Sequence, residues 1–242
     1  MSDRFYRAAK PDYSLVDSMN DSLRFTTRRC LTAYQGNLCA TSTFVDPEGV
    51  PAVWHEFGEL EGVGWAANAV GGAHEILWYS RVFNQPRMQA IGVSLLHHAL
   101  EGGFFREDGF VIPYRDIPSD KRFLNYLHNP QFDHWFCPGS TAHIALQLLW
   151  AAKETPDPLR SQLLEKVLLI ADWLWKHVKR LDNGWYPRRC QPDGSPANYN
   201  AGGGAPDPQF DHSGDGAYLL WLWVELTRRG LRDYRKEIRS IA

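Results

Sequence analysis

The chain has 242 residues, a formal net charge of −2 and 13% aromatic residues, with ten tryptophans among them. That length supports one large domain with a sizeable core, and the near-balanced charge, with no basic run and no glycine-rich phosphate loop, argues against nucleic acid as a partner. No apolar stretch approaches the ~20 residues of a membrane span, so no membrane contact is expected.

In chain order, residues 14–29 read as a helix and residues 36–51 as the back half of an incomplete unit. Residues 61–80 are predicted as a helix, 86–100 as its partner and 108–113 as an extended segment. A helix over 140–152 follows, with apolar residues at Ile144, Leu146, Leu148, Leu149 and Trp150. Turn chemistry at 155–158 separates it from a helix over 159–180. There Leu163, Val167, Ile170 and Leu174 recur at the three-and-four spacing of one buried face. Asp182, Asn183 and Gly184 stop that helix with residues that tolerate a left-handed backbone. A loop rich in Gly, Pro and Asn over 191–208 leads to a helix over 216–229. Residues 231–237 then resemble the start of an outer helix at 159–165.

The pentapeptide Pro-Gln-Phe-Asp-His occurs at 130–134 and again at 208–212, each time ahead of an apolar helical run. Trp54, His55, Glu56 and Phe57 hold the equivalent place ahead of the first hairpin, and Gly109-Phe110 matches Gly184-Trp185 one unit later. The repeating unit is helix, tight turn, helix, extended rim loop. Each pair offers an apolar face that it cannot bury alone, so the pairs must stack. The expected fold is all-α: repeated helical hairpins in an α/α toroid, or in a partial, truncated toroid. Residues 1–242 are expected to form a single domain that begins and ends mid-repeat, with the missing half of the ring as a partner.

Loops entering the inner helices of such a ring surround one end of a funnel, so Glu56, Asp133, His134, Asp211, His212 and Asp215 are expected to converge there. Carboxylates on a shared rim suit acid/base work on a glycosidic bond, one protonated and one ionised. The same Asp residues also fit helix caps. Aromatic residues in the loops, Trp54, Phe132, Trp135 and Phe210, favour a functional rim because they crowd carboxylates and stack on sugar rings. Trp65 and Trp185 extend that candidate platform. A metal is not expected: His134, Cys137 and His212 have zinc-ligand chemistry but no compact zinc spacing. Four glycines, Gly62, Gly64, Gly71 and Gly72, crowd the predicted helix ahead of His74 and Glu75. They point to close helix packing, or else to a ligand against the backbone.

The hairpins, the rim loops with Gly-Trp or Gly-Phe and the acidic residues before inner helices resemble the six-hairpin glycosidases of the α/α-toroid enzymes. The unsaturated glucuronyl hydrolases and the related sugar epimerases are the most alike. The resemblance implies a carbohydrate (oligosaccharide) substrate, an aspartate-driven acid/base reaction and no organic cofactor. Asp133 and Asp211 are expected to be the acid/base pair from their repeated rim position. Terpene cyclases of toroid form carry an Asp-x-Asp-Asp cluster, and lanthipeptide-type cyclases a Cys-His-Gly run, neither of which occurs here. A non-catalytic helical scaffold holding a glycan or peptide is the other alternative. Residues 1–7 lack the apolar core of a signal peptide, and Cys30, Cys39, Cys137 and Cys190 form no close pair. A cytoplasmic protein is the expectation from both.

Overall fold

The structure, a computed structural model, describes residues 14–41, 60–125, 134–197 and 214–241. Helix α1 (Leu15–Arg29) opens with a capping box: the Ser14 hydroxyl accepts from the Asp17 amide, and the Asp17 carboxylate accepts from the Ser14 amide. Strands β1 (Leu31–Tyr34) and β2 (Asn37–Ala40) form an antiparallel hairpin. Its two-residue turn, Gln35-Gly36, has φ values of 49° and 87°, the primed geometry that matches strand twist.

Helices α2 (Ala69–Phe83) and α3 (Pro86–Glu101) form the first hairpin, turned by Asn84 at φ 51°. Pro86 opens α3, where its missing N–H leaves nothing unsatisfied. Helices α4 (Pro138–Glu154) and α5 (Leu159–His177) form the second, and α6 (Asp215–Arg228) with α7 (Arg235–Ile241) the third. Helix α2 packs on α4 and α4 on α6, while α3, α5 and α7 each pack on the helix before them. The result is an arc with an inner row α2–α4–α6 and an outer layer, the helical-hairpin arrangement expected from the repeat. Helix α4 sits in the middle of that row. Its Ala142, Ile144, Leu146, Leu148, Leu149 and Ala151 are all buried, as a helix enclosed on several flanks requires.

One predicted element is corrected. The helix expected over 61–80 starts only at Ala69, because residues 60–62 form strand β3 (Leu60–Gly62). That strand joins β4 (Tyr114–Asp116) and β5 (Arg122–Phe123) in an antiparallel sheet of order β3-β4-β5. Gly62 has φ 138°, and a side chain there would collide with the Pro113 carbonyl; at Gly64 it would collide with the Tyr114 ring. Those two glycines serve the strand and the close approach of 113–114, not helix packing. Among the described residues the fold is thus mainly helical, with two small sheets.

The rim turns repeat in atomic detail. Residues 106–110 and 181–185 share one five-residue turn: the amide of the first residue donates to the carbonyl of the fifth, an Asp or Asn side chain accepts from the fifth amide, and the glycine has positive φ. Residues 191–195 form a third copy around Asp193-Gly194. All four cysteines are free thiols. Among the described residues no helix is long and apolar enough to cross a membrane.

Candidate functional site

The inner row carries a continuous set of rings on the side away from the outer helices. His74 of α2 lies 5.9 Å from Trp150 of α4, and His143 of α4 lies 6.2 Å from the same ring. His143 also meets Tyr218 of α6 at 4.8 Å, and Trp150 meets Trp221 of α6 at 5.3 Å. Trp78, Tyr218 and Trp221 are exposed, at 39%, 38% and 44%. The helical period explains this. Leu219, Leu222, Trp223 and Leu226 face the core of α6, which leaves Tyr218, Trp221 and Val224 on the opposite stripe.

Burial holds both imidazoles below the ordinary histidine range. For His74 the nearby Glu154 opposes that shift and Lys153 reinforces it. They are therefore neutral near pH 7, each able to donate from one ring nitrogen and accept at the other. Glu75, also on α2, is exposed, yet the protein around it removes enough water to move its carboxyl upward from the ordinary carboxylate value. Aromatic faces and neutral imidazoles are suited to an uncharged, hydroxyl-rich ligand with apolar faces.

The rim residues expected from sequence are only partly described. Trp54, Glu56, Phe132, Asp133, Phe210, Asp211 and His212 lie outside the described residues. His134 is exposed in the turn that leads into α4, and Asp215 is the first residue of α6. Trp65 is exposed in the turn ahead of α2. Trp185 is half-buried, its ring against the backbone of Gly216, where a side chain would come within 2.6 Å. Trp135 differs from expectation. It is 1% exposed, with the Arg189 guanidinium 4.5 Å from its ring centroid, so it serves the core and offers no open platform.

A second polar group lies apart, between the two sheets and α3. Glu61 on β3 is fully buried. Its carboxylate accepts from Nε of Arg115 on β4 at 2.6 Å and lies 2.6 Å from His98 Nε2 on α3, with a further Arg115 nitrogen on the same oxygen. Burial alone would raise the Glu61 pKa, but the hydrogen bonds and charges of His98 and Arg115 outweigh it and hold the carboxyl low. The Cys39 thiol beside it is pushed up to about 12 by burial and by the Glu61 charge. Cys39, Glu61 and His98 place ligand-type atoms within 4.8 Å of one another. They do not fit a metal, because a cation there would compete with Arg115, whose guanidinium lies 3.4 Å from His98 Nε2 and 4.1 Å from the Tyr34 ring centroid. This is a structural ion pair.

Sequence reasoning named His74 and Glu75 and counted Trp150 among the apolar residues of its helix, but it missed Trp78, His143, Tyr218 and Trp221 as a surface. The signal was present: on α6, Tyr218 and Trp221 are three residues apart and out of phase with the leucines.

No protein-family model and no curated protein matches the chain. Several solved structures are similar to it, two of them as follows. One is unsaturated glucuronyl hydrolase from Bacillus sp. GL1, described as responsible for the degradation of glycosaminoglycan. The other is a substituted form of such an enzyme with dGlcA-Glc-Rha-Glc. Each is 20% identical at a TM-score of 0.44, over 93% of this chain and 55% of the other. The chain thus spans about half the length of the enzymes it is similar to.

Proposed function

We propose that this chain is a carbohydrate-active protein that binds an oligosaccharide along the α2–α4–α6 face and processes a glycosidic bond at the rim. The carrying observation is the run of rings from His74 through Trp150 and His143 to Tyr218 and Trp221, partly open to solvent on three adjacent helices. Such a run stacks on successive sugar rings, while the neutral imidazoles exchange hydrogen bonds with hydroxyls.

Asp133 and Asp211 are the proposed acid/base pair. They lie just upstream of α4 and α6 in the sequence, and those two helices pack side by side, which supports a shared rim. In the reaction, one carboxyl protonates the leaving oxygen, while the other either activates water or attacks the anomeric carbon itself. Glu56, Asp215, His134 and His212 are proposed to orient the substrate around that bond, with Trp54, Phe132, Phe210, Trp65 and Trp185 as the platform at the mouth.

Asn substitution at Asp133 or Asp211 is expected to abolish release of new reducing ends from an oligosaccharide panel, with the thermal melt unchanged within a few degrees. A collapsed melt with specific activity retained in the folded fraction would identify the two as helix caps. Saturable oligosaccharide binding without any turnover would leave a glycan-binding scaffold in place of an enzyme.

A further inference from the structure

The two adjacent glycines of α2 differ in a way that packing does not explain. At Gly71 a side chain would run into the Asn68 and Gln147 side chains, which hydrogen-bond each other at 2.9 Å, so the glycine is required by the α2–α4 contact. At Gly72 an added Cβ meets no described atom within 4 Å. A glycine inside a helix costs roughly 1 kcal/mol relative to alanine. At Gly72 that cost has no return in packing.

Gly72 opens onto a cavity of about 240 Å³ between α1 and α2. Pockets for drug-sized ligands run from roughly 300 to 1,000 Å³, so this one is the size of a single ring. Its walls are of three kinds. Met19 and Leu23 of α1 supply apolar contact, and Ser22 and Thr26 supply hydroxyls on the same helix. Across from them, Trp78 and Tyr79 of α2 stand beside the Glu75 carboxyl. The Tyr79 hydroxyl donates to Asn20 Oδ1 at 2.6 Å, which ties the two walls together and fixes the aromatic side.

We propose that the α1–α2 cavity is a binding site for one pyranose ring, with Gly72 as the space for the ring, Trp78 as its stacking surface and Glu75 with the α1 hydroxyls as its hydrogen-bonding partners. One aromatic surface, one carboxyl and two hydroxyls around a ring-sized space match a molecule with an apolar face and a polar edge. The choice of a sugar ring over another polyol rests on the carbohydrate reading above; the site itself does not.

The test is saturation-transfer NMR and calorimetry on the full chain with a panel of methyl pyranosides, comparing wild type, Gly72→Leu and Glu75→Ala. Leucine is a strong helix former and its Cβ meets open space at position 72, so Gly72→Leu is expected to melt no lower than wild type. It is expected to weaken binding of at least one pyranoside by about tenfold or more, and Glu75→Ala to weaken it by a smaller factor. No binding by wild type, or equal binding by wild type and a folded Gly72→Leu, overturns the proposal. Pyranoside binding that Gly72→Leu removes, in a protein that turns over no oligosaccharide, keeps this site and sinks the enzymatic reading. Turnover that survives Gly72→Leu without any pyranoside binding does the opposite.

Discussion

Glu61 and Glu75 are carboxyls of the same type set fourteen positions apart in the sequence, and the fold gives them opposite properties. Burial works to raise the pKa of both. At Glu61, Arg115 and His98 reverse that effect and leave a closed ion pair with no access to solvent. At Glu75 burial is the only cause, and the group borders an open cavity beside the aromatic face. Desolvation without a partner produces a carboxyl available for a ligand, while desolvation with two partners produces a brace for the fold. Position near aromatic residues does not separate the two, since Arg115 also lies over Tyr34 and Phe104.

The largest expected effect breaks the brace. Glu61→Ala leaves the Arg115 guanidinium buried without its carboxylate, which is expected to cost about 3–5 kcal/mol. Glu75→Ala is expected to stay within about 0.5 kcal/mol, since it removes no ion pair. Urea unfolding of the two variants checks the contrast directly, and equal losses would erase it.

The pH response sharpens the same comparison. Glu61 has a depressed folded pKa, so its contribution is present above the ordinary carboxylate range and is lost as pH falls through its folded value. Glu75 has a raised folded pKa, so the folded state holds the extra proton and stability declines as pH rises from the ordinary carboxylate range towards that value. His74 and His143 are depressed bases, and their contribution is complete above the ordinary histidine range and lost as pH falls below it. A chemical-denaturation series across mildly acidic pH is expected to flatten in Glu75→Gln on the side where wild type declines. An unchanged slope would contradict the assignment. A smaller effect comes from Gly72→Ala, which is expected to stabilise by up to ~1 kcal/mol because only the helix propensity changes; a loss of stability would show that the space is not open.

Much of this architecture was legible in the sequence, for a local reason. Helices α3 to α6 carry their own periodicity, Pro86 marks its own helix start, and the Asp-Gly and Asn-Gly turns announce the rim. What failed depended on distant partners. Strand β3 pairs with residues 114–116, so nothing near Glu61 distinguishes it from the first turn of a helix. The β1–β2 hairpin was also missed, because Gln35 is an unusual occupant of the first left-handed turn position. At the candidate site, the repeated Asp-His motif directed attention to the rim. The aromatic face emerged only once the inner row was known, since rings on three helices become one surface through helix order alone. The core role of Trp135 was equally invisible, because it depends on Arg189 arriving from a later turn.

The most direct measurement of the central claim is steady-state turnover of an oligosaccharide panel by wild type and Trp221→Ala. Trp221 is an exposed ring of the run that meets both Trp150 and Tyr218, and its removal leaves the buried ion pair in place. Product release by wild type is expected, with a KM raised about tenfold in the variant, equivalent to the loss of roughly 1.4 kcal/mol of stacking, and kcat little changed. Turnover indifferent to Trp221, or no turnover of any oligosaccharide, would contradict it.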